Sequence, residues 1–313
     1  MGTDKPLISI LMATYEPRMD WLREQLESLE AQTYPNLKLY IRDDCSPTVP
    51  FEKIQACVKD CIHSFPYVIA QNENNLGSNL TFERLTREAE GEYFAYCDQD
   101  DIWQPEKLAL LQVTIGQSTM AYCDMAVIDG KGGRVADSLR VIRPRLDYYS
   151  GDGLAKKYFF RNCTAGCSML IQSSVAKKAL PFLQHTFCDH WLAIMASGIG
   201  NVKYLDRPMV QYRQHESNQT GIMTGVADKA SYCQIRLEPL IERLSRYNQV
   251  FDADDGLSAF VGARIKGNIG EIWKYRFYSP AEAMFEIMMS VVPDALFQRI
   301  VLFINRDSCK RSR

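Results

Sequence analysis

An apolar segment that runs directly into three acidic residues is the feature that most constrains the fold. Residues 93–101 read YFAYCDQDD, and a short apolar run bounded by polar residues is typical of a buried parallel strand. Ligands of open α/β sheets bind beyond the carboxyl ends of such strands. Asp98, Asp100 and Asp101 would repel one another in a half-buried crevice, so we expect a cation or a donor network to neutralise them. The alternative is a solvated acidic loop ahead of a helix that begins near Pro105.

A divalent metal ion is the simplest neutralising group, because Mg²⁺ is typically held by one or two carboxylates together with substrate phosphates. The first predicted strand ends in TYEP at residues 14–17. The chain carries neither a G-x-G-x-x-G fingerprint nor a Walker lysine there. We therefore expect any bound phosphate to be held by a metal ion and side chains rather than by a glycine-rich loop.

Strand-like and helix-like segments alternate through the first part of the chain, which predicts a doubly wound, mostly parallel sheet. The predicted strands are 7–13, 37–41, 67–70, 93–97, 120–128, 167–171 and 202–205, and the predicted helices are 19–31, 51–65, 79–90, 105–115, 174–183 and 191–196. From Asp228 onward the apolar spacing is helical. The sequence thus predicts an α/β domain with a C-terminal helical extension.

Composition narrows the class of protein. The chain has 313 residues, 46% hydrophobic, with a net charge of −2, which predicts one large domain with an appendage and argues against nucleic acid as a partner. Ten cysteines without a recognisable export signal predict reduced thiols and a cytoplasmic location. The most lipid-like segment, 283–304, is interrupted by charged residues and is not expected to span a bilayer.

Several motifs together resemble a known enzyme family. They are SILMATY at 9–15, DDCS at 43–46, NLG at 75–77 with Asn79, DQDDIW at 98–103, DHW at 189–191, and YRQH at 212–215 with Asn218 and Gly221. This set, over residues 7–222, resembles the family 2 inverting glycosyltransferases with the GT-A fold, and the last two motifs resemble the branch that uses dTDP-rhamnose. The chain departs from the family at Cys45 and Glu216, where glycine is usual.

The resemblance implies a role for each matching residue. The implied nucleotide-sugar-binding residues are Thr14, Tyr15, Asp44, Asn75, Gly77, Asn79, Asp98, Gln99 and Arg213. Within this set Asp44 would accept from the pyrimidine ring N–H, and Asp98 would face the ribose. Asp100 would hold Mg²⁺ or Mn²⁺, His215 would be a second ligand of that ion or a hydrogen-bond donor to the diphosphate, and Asp189 would be the catalytic base.

The implied activity is the transfer of L-rhamnose from dTDP-β-L-rhamnose to a cell-surface polysaccharide or a lipid-linked acceptor, by a catalytic GT-A domain at 1–222 followed by a helical region at 223–313. Three other hypotheses remain open. They are a transferase that uses a UDP-hexose, a nucleotidyltransferase or phosphohydrolase that uses the same acidic edge, and a non-catalytic nucleotide-sugar-binding module.

Some of these residues also have structural interpretations. An Asx turn is the alternative for Asp43 and Asp44. The entry to a helix is the alternative for Asn75, Gly77 and Asn79. We expect Asp101 to be the N-cap of the following helix, and Trp103 and Trp191 to be packing residues.

The C-terminal region combines apolar side chains between 285 and 304 with a basic end at 310–313. An amphipathic surface of this kind predicts contact with the inner face of the cell membrane. Packing as a helical subdomain, or a homodimer interface through these helices, is the alternative.

Overall fold

The computed structural model describes residues 5–144, 146–215, 225–252 and 254–311. The chain divides into two compact units, Met1–His215 and Glu216–Arg313. The predicted boundary between 1–222 and 223–313 lies outside the described residues, as do Glu216, Asn218 and Gly221. That boundary therefore stays a prediction.

The first unit is an α/β domain. Its described strands are β1 (Ile8–Thr14), β2 (Leu37–Asp43), β3 (Tyr67–Gln71), β4 (Tyr93–Cys97), β5 (Ile102–Trp103), β6 (Met120–Ile128), β7 (Arg134–Ala136), β8 (Met169–Gln172) and β9 (Val202–Arg213). Its described helices are α1 (Met19–Glu30), α2 (Phe51–Cys61), α3 (Ser78–Glu88), α4 (Lys107–Ile115), α5 (Leu139–Ile142), α6 (Ala155–Phe160), α7 (Ser173–Lys178) and α8 (Cys188–Ile199).

The strands form one sheet in the order β3-β2-β1-β4-β8-β6-β9-β5, and β7 pairs with β6. Pairing is parallel from β3 to β4 and between β6 and β9. The sheet is less uniformly parallel than predicted, because β8 enters between β4 and β6 in the antiparallel direction. The predicted strand at 202–205 continues to Arg213, since β9 follows β6 along its whole length and also pairs with β5.

The core of this unit follows from the apolar patterns of its elements. Every residue of β6 is buried, as expected for a strand covered on both faces. Helix α1 buries Trp21, Leu22, Leu26 and Leu29, which recur at helical spacing. Helix α7 is shorter than predicted, because it ends at Lys178.

Strand register brings one set of chain ends to a single edge. Thr14 pairs with Asp43 at the ends of β1 and β2, and Met12 pairs with Cys97 at the end of β4. Ile128 pairs with Arg213 at the ends of β6 and β9. We call this edge, with the residues that follow these five strands, the rim.

The second unit is helical. Its described helices are α9 (Lys229–Tyr232), α10 (Pro239–Val250), α11 (Asp255–Lys266), α12 (Ile269–Lys274), α13 (Pro280–Val291) and α14 (Asp294–Arg311), with a π-helical segment at Cys233–Leu237. Within it Arg264 and Glu286 form a buried ion pair at 2.6 Å, and Met289, Phe297 and Val301 share a small apolar core. No helix among the described residues is both long and apolar enough to cross a membrane.

Candidate active site

The loop after β4 carries the acidic residues that the sequence singled out. Asp98 and Asp100 are half-buried, and Asp101 is fully buried. Burial, together with the neighbouring charges of Asp101, Asp100 and Asp189, raises the pKa of Asp98 well above its usual value. Burial, followed by the charge of Asp100, likewise raises the pKa of Asp101. The crowding expected from the sequence is therefore present, and Asp189 adds a fourth carboxylate to it.

Asp101 does not have the role predicted for it. Its Oδ1 accepts a hydrogen bond from the backbone N–H of Arg213 at 3.0 Å, so it joins the loop after β4 to the end of β9. The next helix, α4, begins at Lys107 with Glu106 at its N-cap. The prediction of an N-cap was wrong because strand β5 intervenes between Asp101 and that helix.

The two predicted metal ligands lie side by side. The Nε2 atom of His215 is 2.7 Å from Oδ2 of Asp100, and each side chain is less than one fifth exposed. The ring of Trp21 packs against His215 with 4.9 Å between the ring centroids. The structure thus unites residues that are 115 positions apart in the sequence.

Arg213, predicted to bind the nucleotide sugar, is 1% exposed. Its Nε donates to the backbone carbonyl of Asp100 at 2.7 Å, and its Nη2 pairs with Glu24 at 2.5 Å. Its guanidinium also lies 5.0 Å from the ring of Trp21. In this arrangement Arg213 supports the loop that carries Asp100, and its proposed contact with donor phosphates stays a prediction.

Thr14, Tyr15 and Gln99 meet at the end of β1. The side chain of Gln99 accepts from the backbone N–H of Tyr15 at 2.8 Å and donates to its carbonyl at 3.0 Å. The Thr14 hydroxyl donates to Asp43 at 3.1 Å. The ring of Tyr15 is 45% exposed, which leaves it as the accessible member of this group.

Asp44 is buried and holds the loop after β3. Its Oδ1 accepts from the side-chain amide of Asn72 and from the backbone N–H of Leu76, and its Oδ2 accepts from the backbone N–H of Gly77, each at 2.8 Å. Gly77 has a φ of 82°, a conformation that suits glycine. A carboxylate has about four acceptor positions, so these three bonds leave capacity for a pyrimidine N–H.

Cys45, which stands where the family often has glycine, adopts a φ of 59°. That value lies in the left-handed region where glycine is favoured. The backbone of this turn therefore keeps the glycine-like conformation although the residue has changed.

Asp189 lies in the first turn of α8. Its Oδ1 accepts from the backbone N–H of His190 at 2.5 Å. Burial raises the pKa of Asp189 to about 6, against the lowering effect of the N–H groups of His190 and Gly166. A half-buried carboxyl with a pKa near neutrality can act as a general base.

Asn75 and Asn79 have different surroundings. Asn75 is exposed in the loop before α3. The Asn79 amide donates to the carbonyls of Leu183 and Thr186 and accepts from the N–H of Cys188. The predicted contact of Asn79 with the donor stays a prediction, whereas its contact with the segment before Asp189 was not foreseen.

Sequence reasoning missed three supporting residues. Asn72 is 2% exposed and bonds Asp44, while Glu24 and Trp21 contact Arg213. The position of Asn72 directly after β3, at the same edge as the other polar strand ends, was a usable signal. Glu24 and Trp21 lie on α1 and gave no such signal.

Two rim residues have side chains that could hold a divalent cation. Asp100 offers a half-buried carboxylate oxygen, which suits Mg²⁺ or Mn²⁺, and His215 offers a half-buried imidazole nitrogen, which suits transition metals. A second group, Asp98, Asp101 and Cys167, also has its ligand atoms within 4.8 Å of one another. Its buried thiol suits a softer metal, so we prefer Asp100 and His215.

Comparisons with known proteins agree with this architecture. The chain is similar to S. aureus TarS 1-349 in complex with UDP-GlcNAc, with a TM-score of 0.59 and 14% identity over 97% of this chain and 89% of that one. It is also similar to the mannosyltransferase PcManGT from Pyrobaculum calidifontis in complex with GDP-Man and Mn²⁺, with a TM-score of 0.56 and 14% identity over 99% and 88%. The predicted GT-A fold is confirmed.

Sequence comparison gives the family. A dTDP-rhamnosyl transferase of Shigella flexneri, RfbG, is 26% identical over 245 residues, which cover 72% of this chain and 78% of that protein. The model of glycosyl transferase family 2 matches residues 9–177, more than half of the chain. The chain therefore belongs to glycosyl transferase family 2.

Proposed function

We propose that this protein is a metal-dependent inverting glycosyltransferase that transfers L-rhamnose from dTDP-β-L-rhamnose to a surface polysaccharide or lipid-linked glycan. The observation that carries the proposal is that Asp189 lies close enough to Asp98 for its charge to raise the pKa of that carboxyl. One-step transfer needs a base for the acceptor hydroxyl and a site that holds the diphosphate. A carboxylate with a raised pKa beside a site suited to a diphosphate supplies both.

The reaction follows from these side chains. Asp189 accepts the proton of an acceptor hydroxyl as that oxygen attacks the anomeric carbon. This single displacement inverts the configuration of the anomeric carbon, because no enzyme nucleophile takes part. The transition state is oxocarbenium-like, as in glycosidases. Asp100 and His215 would hold Mg²⁺ or Mn²⁺, which stabilises the charge of the departing diphosphate.

Donor recognition is assigned to the edge formed by β1 and β2. Asp44 keeps acceptor capacity for the ring N–H of a pyrimidine, and the exposed ring of Tyr15 offers a surface for the base. We assign Asp98 to the contact with the ribose. Both dTDP and UDP present that N–H, so this contact selects the base class rather than the sugar.

The choice of rhamnose is supported by the name of the Shigella relative and by the motifs at 189–191 and 212–215. A UDP-hexose is the second candidate, because the solved TarS structure contains UDP-GlcNAc. At 14% identity that likeness concerns the fold alone.

A donor screen tests the proposal. The purified chain is mixed with dTDP-rhamnose, UDP-hexoses and GDP-mannose, with Mg²⁺, with Mn²⁺ or with EDTA, and thermal stabilisation and nucleoside diphosphate release are measured. We expect dTDP-rhamnose with a metal ion to give the largest stabilisation, and the product linkage to be inverted by NMR. Release of pyrophosphate from a nucleoside triphosphate and a sugar 1-phosphate, with no nucleoside diphosphate released from any nucleotide sugar, would favour the nucleotidyltransferase hypothesis. Binding without turnover would favour a binding module.

We also propose that the second unit contacts the inner face of the cell membrane, where lipid-linked acceptors occur. Leu302 and Phe303 on α14 are 58% and 66% exposed, and Trp273 and Phe277 are at least half exposed. Arg276 stacks on Trp273 at 4.0 Å, a combination of basic and aromatic groups typical of interfacial surfaces.

Flotation with anionic liposomes tests this contact. The wild type is expected to float, and a Leu302→Glu/Phe303→Glu variant is expected to stay at the bottom. Equal recovery of both would reject the proposal, and a wild-type dimer that the variant loses would identify the surface as a subunit interface.

A further inference from the structure

The segment that leads into α8 is tied to α3 by one side chain. Asn79 Nδ2 donates to the carbonyls of Leu183 and Thr186 at 3.0 and 2.8 Å, and its Oδ1 accepts from the N–H of Cys188 at 3.0 Å. Cys188 begins α8 and immediately precedes Asp189. One amide thus makes three hydrogen bonds within the six residues before Asp189.

The same helix is anchored to the donor side of the site. Gly77 is the N-cap of α3, and its backbone N–H donates to Asp44 at 2.8 Å. The N–H of Leu76 makes a second bond to the same carboxylate. Only one residue separates Gly77 from Asn79, so the start of α3 contacts Asp44 on one side and the start of α8 on the other.

Side chains of α3 bond both the start of this segment and the start of α8. The first backbone N–H groups of a helix have no intrahelical partner. Asn79 satisfies one of them, that of Cys188. A second residue of α3 assists at the far end of the segment, because Glu83 accepts from the N–H of Phe182 at 2.7 Å.

We propose that Asn79 is a positioning residue, whose amide holds Asp189 at a fixed distance from the donor pocket that Asp44 lines. The inference rests on the proposed function, because it takes Asp189 to be the base. It differs from the role that the family resemblance implied, since all three contacts of the Asn79 amide are made to this chain rather than to a nucleotide sugar.

The chain offers a matched control in Gln32. Its Nε2 donates to the carbonyls of Ser28 and Gln104 at 3.1 and 2.9 Å, and its Oε1 accepts from the N–H of Leu108 in the first turn of α4 at 3.2 Å. Replacement of either amide by alanine removes two donated bonds and one accepted bond at a helix start. The helix that Gln32 contacts carries no proposed catalytic residue.

The experiment compares Asn79→Ala with Gln32→Ala by two measurements. Hydrogen exchange is followed over residues 182–190 without donor or acceptor, and kcat and the donor KM are measured at saturating acceptor. For Asn79→Ala we expect exchange at the start of α8 to accelerate by about tenfold or more. We also expect kcat to fall by about 10- to 100-fold, since small misplacements of a reacting group have effects of this size, and the donor KM to stay within about twofold.

The control Gln32→Ala is expected to lower the melting temperature about as much as Asn79→Ala does. Its kcat is expected to stay within about twofold of the wild type. Equal losses of kcat in both variants would overturn the proposal, because the effect would then be a general loss of packing. A raised donor KM with unchanged kcat in Asn79→Ala would also overturn it and would make Asn79 a donor-binding residue.

A variant that does not fold and a wild type that transfers no sugar each call for a further measurement. If Asn79→Ala does not fold, Asn79→Asp keeps the acceptor for the Cys188 N–H and loses both donated bonds, so its kcat is expected to fall several-fold, and a wild-type kcat would overturn the proposal. If the wild type transfers no sugar, the proposed function fails by itself. Unchanged exchange over residues 182–190 in the Asn79 variants would then still overturn the positioning role of Asn79.

Discussion

The protonation state of Asp189 gives the most informative prediction. Burial raises the pKa of this carboxyl to about 6, from a usual value of 3.8. A group that must be ionised to act as a base loses activity as the pH falls through its pKa. At pH 5, one unit below the pKa, about one tenth of the carboxyl groups are ionised, so kcat is expected to be about one tenth of its plateau value. With an unshifted pKa the loss at pH 5 would be only about 6%.

The assay is the initial rate of nucleoside diphosphate release at saturating donor, acceptor and metal ion, between about pH 5 and pH 8. Saturation matters because Asp98, whose pKa is also raised by burial, is proposed to contact the donor. Its titration would appear in the donor KM rather than in kcat. Circular dichroism at each pH provides the control for folding.

A flat kcat across this range, or an acid limb near pH 4, would contradict a base whose pKa is about 6. The first result would mean that Asp189 does not accept the proton in the slow step. The second would mean that the carboxyl is hydrated in the working enzyme, so that burial does not set its pKa.

Two further predictions concern the metal site and the helical unit. Asp100→Ala and His215→Ala should each weaken Mn²⁺ binding in a titration followed by electron paramagnetic resonance, because each removes one ligand of a pair separated by 2.7 Å; unchanged binding in both would exclude this site. Arg264→Met should lower the free energy of unfolding, measured in urea, by about 3–5 kcal/mol, since it leaves buried Glu286 without its cation. The control Arg134→Met breaks an exposed pair with Asp137 and should have little effect.

The sequence predicted the parallel part of the sheet well, for a physical reason. Buried strands such as β1 and β4 are short apolar runs that end in polar residues, and both the strand and its functional end can be read from that pattern. The antiparallel insertion of β8 could not be read in this way. Strand direction depends on which neighbours a strand finds, and an apolar run of four residues carries no information about that.

The candidate site was likewise predicted only in part. The acids of the loop after β4 and the Asp189 carboxyl were identified from residue type and motif, and the structure brings them to one rim. The supporting contacts of Asp101 and Asn79 were not identified. Asp101 bonds a residue 112 positions away, and Asn79 bonds one 109 positions away. Such contacts arise from the folded topology, which local patterns do not encode.

The central claim is that Asp189 is the base and not a donor-binding residue, and a single-turnover measurement on Asp189→Asn tests it most directly. Asparagine keeps the size of the side chain and an acceptor oxygen for the N–H of His190 but cannot take a proton. With donor pre-bound, we expect a donor Kd within about twofold of the wild type and a rate of sugar transfer lower by at least about 100-fold. A wild-type transfer rate, or a rate restored by more donor, would contradict it.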